Sequence, residues 1–429
     1  MRTSLITTER SRGMSVCSPG RGIKTLRGSR QSVPQPVTIC YIIDRLDHAG
    51  TESQLLALIQ SIDQRSVRPL LVVLDGSDVV SRDLEPQNCP VLRLGVRKLG
   101  SVAALRAARQ FIQFLRSHKV DLLQAYFLDS AYFSIPLARL AGIKRVVRVR
   151  NNLGYWLTPK HRYLNRILSP WVNVTITNSQ AGKEALQVGE NIPEHRIQIL
   201  ENGVDLERFS AVQRTPPFAH DGPPRIGCVA NLRPVKNIDG LIHATLSLRN
   251  QFPALTVHVA GDGPQRSELE QLIVRSGLQS TVRLLGRVTN IPEFLQSVDI
   301  VVLPSHSEGM SNALLEAMAA ARAIVATNVG ANPRLIRNGI DGRIVTPEPE
   351  SIARGIAELC AHPDEARRYA LSARQRVQTE YSREAMCRRF VEFYRRIMSN
   401  TGSHAVTENP EFEQLALTSA SCLMTGSIQ

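Results

Sequence analysis

Hydrophobic positions along the chain come in short β-branched runs separated by stretches of helical period. The runs that read as strands are Val37–Ile43, Pro69–Leu74, Val120–Ala125, Arg145–Arg150, Val172–Thr177 and Arg196–Leu200. A second series follows at Arg225–Ala230, Thr256–Ala260, Thr281–Leu285, Asp299–Leu303 and Ala323–Thr327. Between them, apolar residues recur at helical spacing, as in Leu105 to Leu115 and Ile238 to Leu248. Continuous apolar strands alternating with helices predict parallel sheets covered on both faces. The pattern restarts after Thr215-Pro216-Pro217 and Asp221-Gly222-Pro223-Pro224, which read as an interdomain linker. A chain of 429 residues also exceeds what one hydrophobic core usually organises. The expected plan is therefore a first domain over 37–217, a second over 223–378 and a last helix over 379–398.

Both ends break the pattern. Residues 1–36 are rich in Ser, Gly and Arg, with seven basic residues against one acid, Glu9. They read as a disordered basic tail, and Met14 is an alternative start. Residues 399–429 are polar and aperiodic and read as a second disordered tail. The first segment has positive charge but no apolar stretch, so it does not read as a signal peptide. No apolar run approaches the roughly 20 residues of a membrane span. Seven scattered Cys without a Cys-x-x-Cys pair suit a reducing compartment, here the cytoplasm, better than a disulfide framework or a zinc site. The net charge of +14 calls for an anionic partner or a solubility role. Nothing resembling a zinc finger or an RNA-recognition signature is present, so nucleic acid is not the expected partner.

The most informative segment is DIVVLPSHSEGMSNALLEAMAA, from Asp299. It reads as a buried strand ending at Pro304, a polar Gly-containing loop, and a helix starting near Ser311. The carboxyl end of a strand feeding a helix N-terminus is where open α/β sheets bind ligands. Free amides there, with the helix dipole, attract phosphate. Glu308 and Glu316 flank the helix start, and a carboxylate accepts two hydroxyl donors of a polyol. Taken alone, two such Glu are more often solvated surface residues.

This Glu-x7-Glu in SEGMSNALLEAMA resembles the signature of the retaining family-4 glycosyltransferases of GT-B fold. HAGTES at His48 resembles that family's N-terminal glycine loop, and LENGVDLERF at Leu200 the end of its first domain. VANLRPVKN at Val229, VAGDGPQRSEL at Val259, LLGRV at Leu284 and NGIDGRIV at Asn338 follow in the family's order, so the resemblance covers roughly residues 37–398. It implies two facing Rossmann-like domains with a C-terminal crossover helix packed on the first. It implies a nucleotide-sugar donor on the second domain, a UDP-sugar before a GDP-sugar, and a lipid-linked or polysaccharide acceptor on the first. Glu316 would hold the ribose. Glu308 and the amides of Gly309, Met310, Ser311 and Asn312 would hold the donor sugar and its phosphates. Lys236, and Arg233 in place of the family's second Arg, would neutralise the diphosphate leaving group. Gly50 would approach it from the first domain, and Arg287 and Val288 would flank the base. The family's Arg slot itself holds Asn231. No cofactor and no metal is implied, and no Asp-x-Asp occurs in the chain.

Three further positions depart from the family pattern: Tyr126 stands where many relatives have a His, with Asp129 close by, Arg334 where they have a Glu, and Ala331 where they have a Gly. The changes at Asn231, Tyr126 and Arg334 keep open a nucleotide-sugar-binding protein without turnover; another enzyme on the same fold, a nucleotide-sugar epimerase, is the second alternative. From Ser130 to Lys183 there is no Asp or Glu but nine Lys or Arg, among them Arg139, Lys144, Arg145, Arg148, Arg150, Lys160, Arg162 and Arg166. Both tryptophans, Trp156 and Trp171, lie there with Tyr155, Tyr163, Ile167 and Leu168. Aromatics among cations suit a peripheral site on an anionic membrane, the inner face of the plasma membrane, or a lipid-diphosphate acceptor. They equally suit aromatics packed on the core beneath solvated charges.

Overall fold

The structure, a computed structural model, describes residues 36–399 apart from Gly100, Tyr155, Trp156, Gln213 and Arg214. The expected tails, the Met14 start and the Tyr155–Trp156 pair thus lie outside the described residues. Seven parallel strands form a first sheet: β1 Val37–Ile43, β2 Val67–Val73, β3 Val91–Arg93, β4 Leu122–Tyr126, β5 Arg145–Val149, β6 Val174–Thr177 and β7 Ile197–Ile199, in the order β3-β2-β1-β4-β5-β6-β7. Six form a second: β8 Arg225–Val229, β9 Thr256–Ala260, β10 Val282–Gly286, β11 Ile300–Leu303, β12 Ala323–Thr327 and β13 Arg343–Val345, in the order β10-β9-β8-β11-β12-β13.

Each sheet is buried on both faces, which is why its central strands carry unbroken apolar runs. Ile39, Tyr41 and Ile43 of β1 point into one core, while Cys40 and Ile42 point into the other. Two further cores sandwich the second sheet, around Val257 and Val302 on one side and Val301 and Ile324 on the other. The strands missing from the sequence reading, β3 and β13, are three-residue edge strands. Their residues are only partly buried or exposed, so no apolar run marks them.

Strand order reverses between β1 and β4 in the first sheet and between β8 and β11 in the second. Loops leaving the carboxyl ends of such neighbouring strands diverge and open a crevice. The linker between the sheets is pinned to the second domain. Buried Asp299 accepts from the Phe218 amide at 2.9 Å, and Arg322 donates to the Thr215 carbonyl. The last helix, Arg383–Ser399, runs one residue into the expected tail and returns to the first domain. Phe390, Phe393 and Ile397 enter its core, and Tyr394 bonds Tyr41 at 3.1 Å and Gln124 at 2.9 Å. The chain can cross back closely because position 203 is glycine, where a Cβ would stand 2.9 Å from the Ser382 carbonyl oxygen. No helix among the described residues is long and apolar enough to cross a membrane.

Candidate active site

The two loops that flank the second sheet's switch point carry most of the residues singled out in the sequence. After β8 the chain turns through Asn231 and Arg233, both exposed, into a short 3-10 turn, Pro234–Lys236. After β11 it passes Pro304 and Ser305 to Glu308, then enters the helix Asn312–Ala319. The loops are tied together by the His306 amide on the Val235 carbonyl at 2.9 Å. Lys236 Nζ stands 2.6 Å from Glu308 Oε1, which also accepts from Ser305 Oγ at 2.7 Å. The cation is thus held at the crevice by a largely buried carboxylate rather than free in solvent.

Ser311 caps the helix by accepting from the Leu314 amide at 3.4 Å. The amides of Gly309 to Asn312 have no acceptor among the described residues, so the helix start presents free donors to the crevice. Gly309 is required by closeness, because a Cβ there would lie 2.2 Å from the Asn151 carbonyl oxygen of the first domain. The Met310 side chain is buried in the core cluster that also holds Val204, and its Sδ accepts from the Asn202 amide of the first domain at 3.2 Å.

Glu316 lies one turn into the helix. It is half-buried, and its carboxylate has no hydrogen-bond or ion partner among the described residues. Burial pushes its carboxyl up to about 7, opposed only by the nearby Arg208 charge. An unpartnered carboxylate of this kind is poised to accept hydroxyl donors. Arg287 follows β10 and is exposed, with Nη2 3.7 Å from Asp47 Oδ1 of the first domain. Val288 packs at the edge of the core.

Across the crevice, Gly50 starts the helix Gly50–Ser61. The Asn312 side chain spans the gap: Nδ2 donates to the Gly50 carbonyl at 3.0 Å, and Oδ1 accepts from Gln54 at 3.1 Å and Asn202 at 2.8 Å. Gln54 in turn exchanges hydrogen bonds with Gly203 at 2.9 and 3.0 Å. This interdomain latch was not visible in the sequence reading, although Gln54 follows the HAGTES segment and Asn202 lies within LENGVDLERF. Two carboxyls at the carboxyl edge of the first sheet were missed too. Burial raises Asp44 to about 6 against two hydrogen bonds from Ser130, and Glu52 to about 7.

The departures from the family pattern sort by position. Tyr126 is buried, and Gln124 Nε2 donates to its hydroxyl at 2.8 Å, so this side chain belongs to the core and not to the crevice. Asp129 is exposed in the first turn of the following helix. Arg334 lies 3.5 Å from Glu201, an ion contact between the domains. Buried Ala331 donates its amide to the Gly309 carbonyl at 3.0 Å. The basic stretch also divides. Arg139 donates to the carbonyls of Trp171 and Lys144, and Arg145 to those of Ile397 and Met398. Arg148 and Arg150 are buried on Glu190. Only part of the expected solvated patch is therefore exposed: Lys144, and Lys160, Arg162 and Arg166 on the helix Pro159–Leu168, with Tyr163, Ile167 and Trp171.

A family profile described as Glycosyl transferases group 1 matches residues 223–362, and one described as Glycosyltransferase Family 4 matches residues 48–208. The D-inositol 3-phosphate glycosyltransferase of Corynebacterium urealyticum is 28% identical over 386 residues, covering 81% of this chain and 88% of that protein. The match to glycogen synthase of Mycobacterium tuberculosis, 28% identical, spans 46% of this chain and about half, 48%, of that protein. Among solved structures, HepE of Anabaena in complex with UDP and glucose superposes with a TM-score of 0.73 at 20% identity, over 83% of this chain and 99% of that one. Sucrose-phosphate synthase of Thermosynechococcus elongatus gives 0.72 at 18% identity, over 85% and 100%. With profiles matched on both sheets, and with two Rossmann-like domains latched across a crevice, the chain belongs to glycosyltransferase family 4 and has the GT-B fold.

Proposed function

We propose that the protein transfers a glycosyl group from a nucleotide sugar, a UDP-sugar in the first instance, to a lipid-linked or polysaccharide acceptor with retention of anomeric configuration. The observation that carries this reading is the helix start at Gly309–Asn312. Its free amides lie beside the Lys236–Glu308 pair and are latched through Asn312 to Gly50 of the other domain. The HepE complexes with UDP and glucose and with UDP-glucose support a nucleotide-sugar donor.

In this reading the second domain binds the donor. The unpartnered Glu316 carboxylate takes the ribose hydroxyls, and the backbone of Arg287 and Val288 flanks the base. Glu308 and the amides of Gly309 to Asn312 take the sugar and its phosphates. As the bond from the anomeric carbon to the phosphate oxygen breaks, negative charge gathers on the nucleoside diphosphate. Lys236, exposed Arg233 and the helix amides stabilise it, being already in place before the reaction. Asn231 adds a neutral polar group to the same turn. The acceptor oxygen attacks from the face the leaving group occupies, and the departing phosphate oxygen takes its proton. No enzymic base is then needed, which fits the placement of Tyr126 in the core. Cations and amides supply the charge stabilisation that a metal supplies elsewhere, and the reading includes no cofactor. The exposed cations and aromatics of the helix Pro159–Leu168 would hold the first domain against an anionic, cytoplasmic membrane face where a lipid-linked acceptor resides.

The test is a thermal-shift panel of UDP-, GDP- and ADP-sugars, followed by donor consumption with and without mixed acceptors. A specific donor at about 100 times its Kd stabilises the fold by about 2.7 kcal/mol. Turnover that requires an acceptor confirms transfer. Turnover without one identifies an epimerase, binding without turnover identifies a binding protein, and no stabilisation by any nucleotide sugar overturns the reading.

A further inference from the structure

A recess in the first domain opens at the carboxyl ends of β4 and β5, lined by Thr51, Phe127, Arg148, Arg150, Asn151 and Asn152 among others. Its charge does not balance. Arg148 and Arg150 are only 6% and 8% exposed, and both lean on a single carboxylate. Arg148 Nη2 lies 2.8 Å from Glu190 Oε2, and Arg150 contacts Glu190 Oε1. Glu190 is further occupied by Asn165 Nδ2 at 2.8 Å. The neighbouring charges are again cations, Arg162 beside Arg150 and Arg196 beside Arg148, and the Tyr132 phenol is neutral. Burial lowers both guanidinium groups to about 10, which leaves them charged at neutral pH. Among the described residues one positive charge is therefore buried without a counterion, an unfavourable arrangement unless an anion arrives.

The hydrogen-bonding capacity is unspent as well. Among the described residues, the Nε atoms of Arg148 and Arg150 are buried with no acceptor, and Asn151 Oδ1 is buried with no donor. Buried polar atoms in native proteins are nearly always paired, so unspent hydrogen-bonding groups on three neighbouring residues around one recess point to a place built for a ligand. Two guanidinium groups match the oxygens of a phosphate, and an amide oxygen accepts from a hydroxyl. The recess adjoins the donor loop, since the Asn151 carbonyl oxygen is what Gly309 makes room for. The donor's diphosphate has its own partners in Lys236 and the helix amides, so this second anion site is left for the other substrate.

We propose that this recess seats the phosphate ester of a polyol, the anionic end of the acceptor, with Arg148 and Arg150 on the phosphate and Asn151 on an adjacent hydroxyl. Calling the ligand the acceptor rests on the glycosyltransferase reading; the anion site itself does not.

Calorimetry on the full chain tests it, with UDP present to fill the donor phosphate positions and in its absence. Inorganic phosphate and sn-glycerol 3-phosphate bind the UDP-loaded protein and glycerol does not. Arg150→Gln leaves Arg148 and Glu190 as a neutral pair, so the fold is kept. It weakens glycerol 3-phosphate binding on the order of ten- to a hundredfold, the loss of one charge-assisted hydrogen bond, while UDP binding is unchanged. Asn151→Asp, isosteric but anionic, abolishes phosphate binding. Vesicles of phosphatidylglycerol against phosphatidylcholine separate the sources: retention on the former that Arg150→Gln removes identifies a lipid headgroup, and binding of the soluble ester alone a soluble acceptor. A UDP-loaded protein that ignores both phosphates, or an Arg150→Gln protein that binds them as its parent does, overturns the proposal. Phosphate binding that depends on Arg150 in a protein that fails to bind UDP or any nucleotide sugar would refute the donor reading alone.

Discussion

Glu316 links binding to pH with opposite signs for ligand and fold. Its carboxyl is raised from 4.5 to about 7 by burial. Between those values the folded protein holds a proton that the unfolded chain has released, so stability falls as pH rises through the window. The shift corresponds to at most about 3 kcal/mol at pH 8, an upper bound because solvent still reaches part of the side chain. In the proposed site a nucleotide sugar reverses the preference, since its ribose hydroxyls would donate to the ionised form. At pH 6 about a tenth of the free protein carries the carboxylate and at pH 8 about nine-tenths, so affinity is expected to rise about tenfold over that interval. Glu316→Ala removes a charged acceptor worth about 1.5–3 kcal/mol, a loss of about 10- to 150-fold at pH 8. Glu316→Gln keeps the shape, flattens the pH dependence and raises the melting temperature of the free protein at pH 8. Calorimetry with the best donor of the panel suits the assay, because the phosphates of a nucleotide sugar do not titrate near neutrality. A wild type whose affinity ignores pH, or a Glu316→Gln protein that binds as tightly as its parent at pH 8, would refute the reasoning.

The interdomain latch predicts that Asn312→Ala, which deletes hydrogen bonds to Gly50, Gln54 and Asn202, weakens donor binding and enlarges the radius of gyration; unchanged small-angle scattering would exclude a latch. Gly309→Ala places a methyl 2.2 Å from the Asn151 oxygen and is expected to prevent closure, seen as loss of turnover with the second domain still folded. Transfer is expected to continue in excess chelator if Lys236 and the helix amides stabilise the leaving group as proposed; loss in chelator with rescue by Mg²⁺ would contradict this. Neutralising Lys160, Arg162 and Arg166 together, in a protein starting near Val37, is expected to reduce binding to phosphatidylglycerol vesicles by an order of magnitude or more, at about 1 kcal/mol per cation. Equal binding of parent and triple variant would make that face merely solvated.

The periodicity of the chain determined its architecture. A buried strand must be apolar on both faces and a covering helix on one, so β1, β9, β12 and the helix Ile238–Leu248 are legible residue by residue. Short edge strands such as β3 and β13 are not, since they bury little and carry no pattern. The placement of Gly309 and the Lys236 turn after β11 and β8 was legible because strand, loop and helix start follow one another locally in the sequence. What no local pattern shows is where a side chain ends up once strands from distant parts of the chain lie side by side. Only the tertiary structure decided that Tyr126 enters the core, where Tyr394, 268 residues on by number, completes its network through Gln124. Only it decided that Asn312 reaches across to Gly50. It also divided the acid-free stretch, leaving Lys160 and Arg162 in solvent and carrying Arg148 and Arg150 inward to share Glu190. In the sequence those cations look alike, because charge is a property of the residue; burial and the number of counterions within reach are properties of the fold.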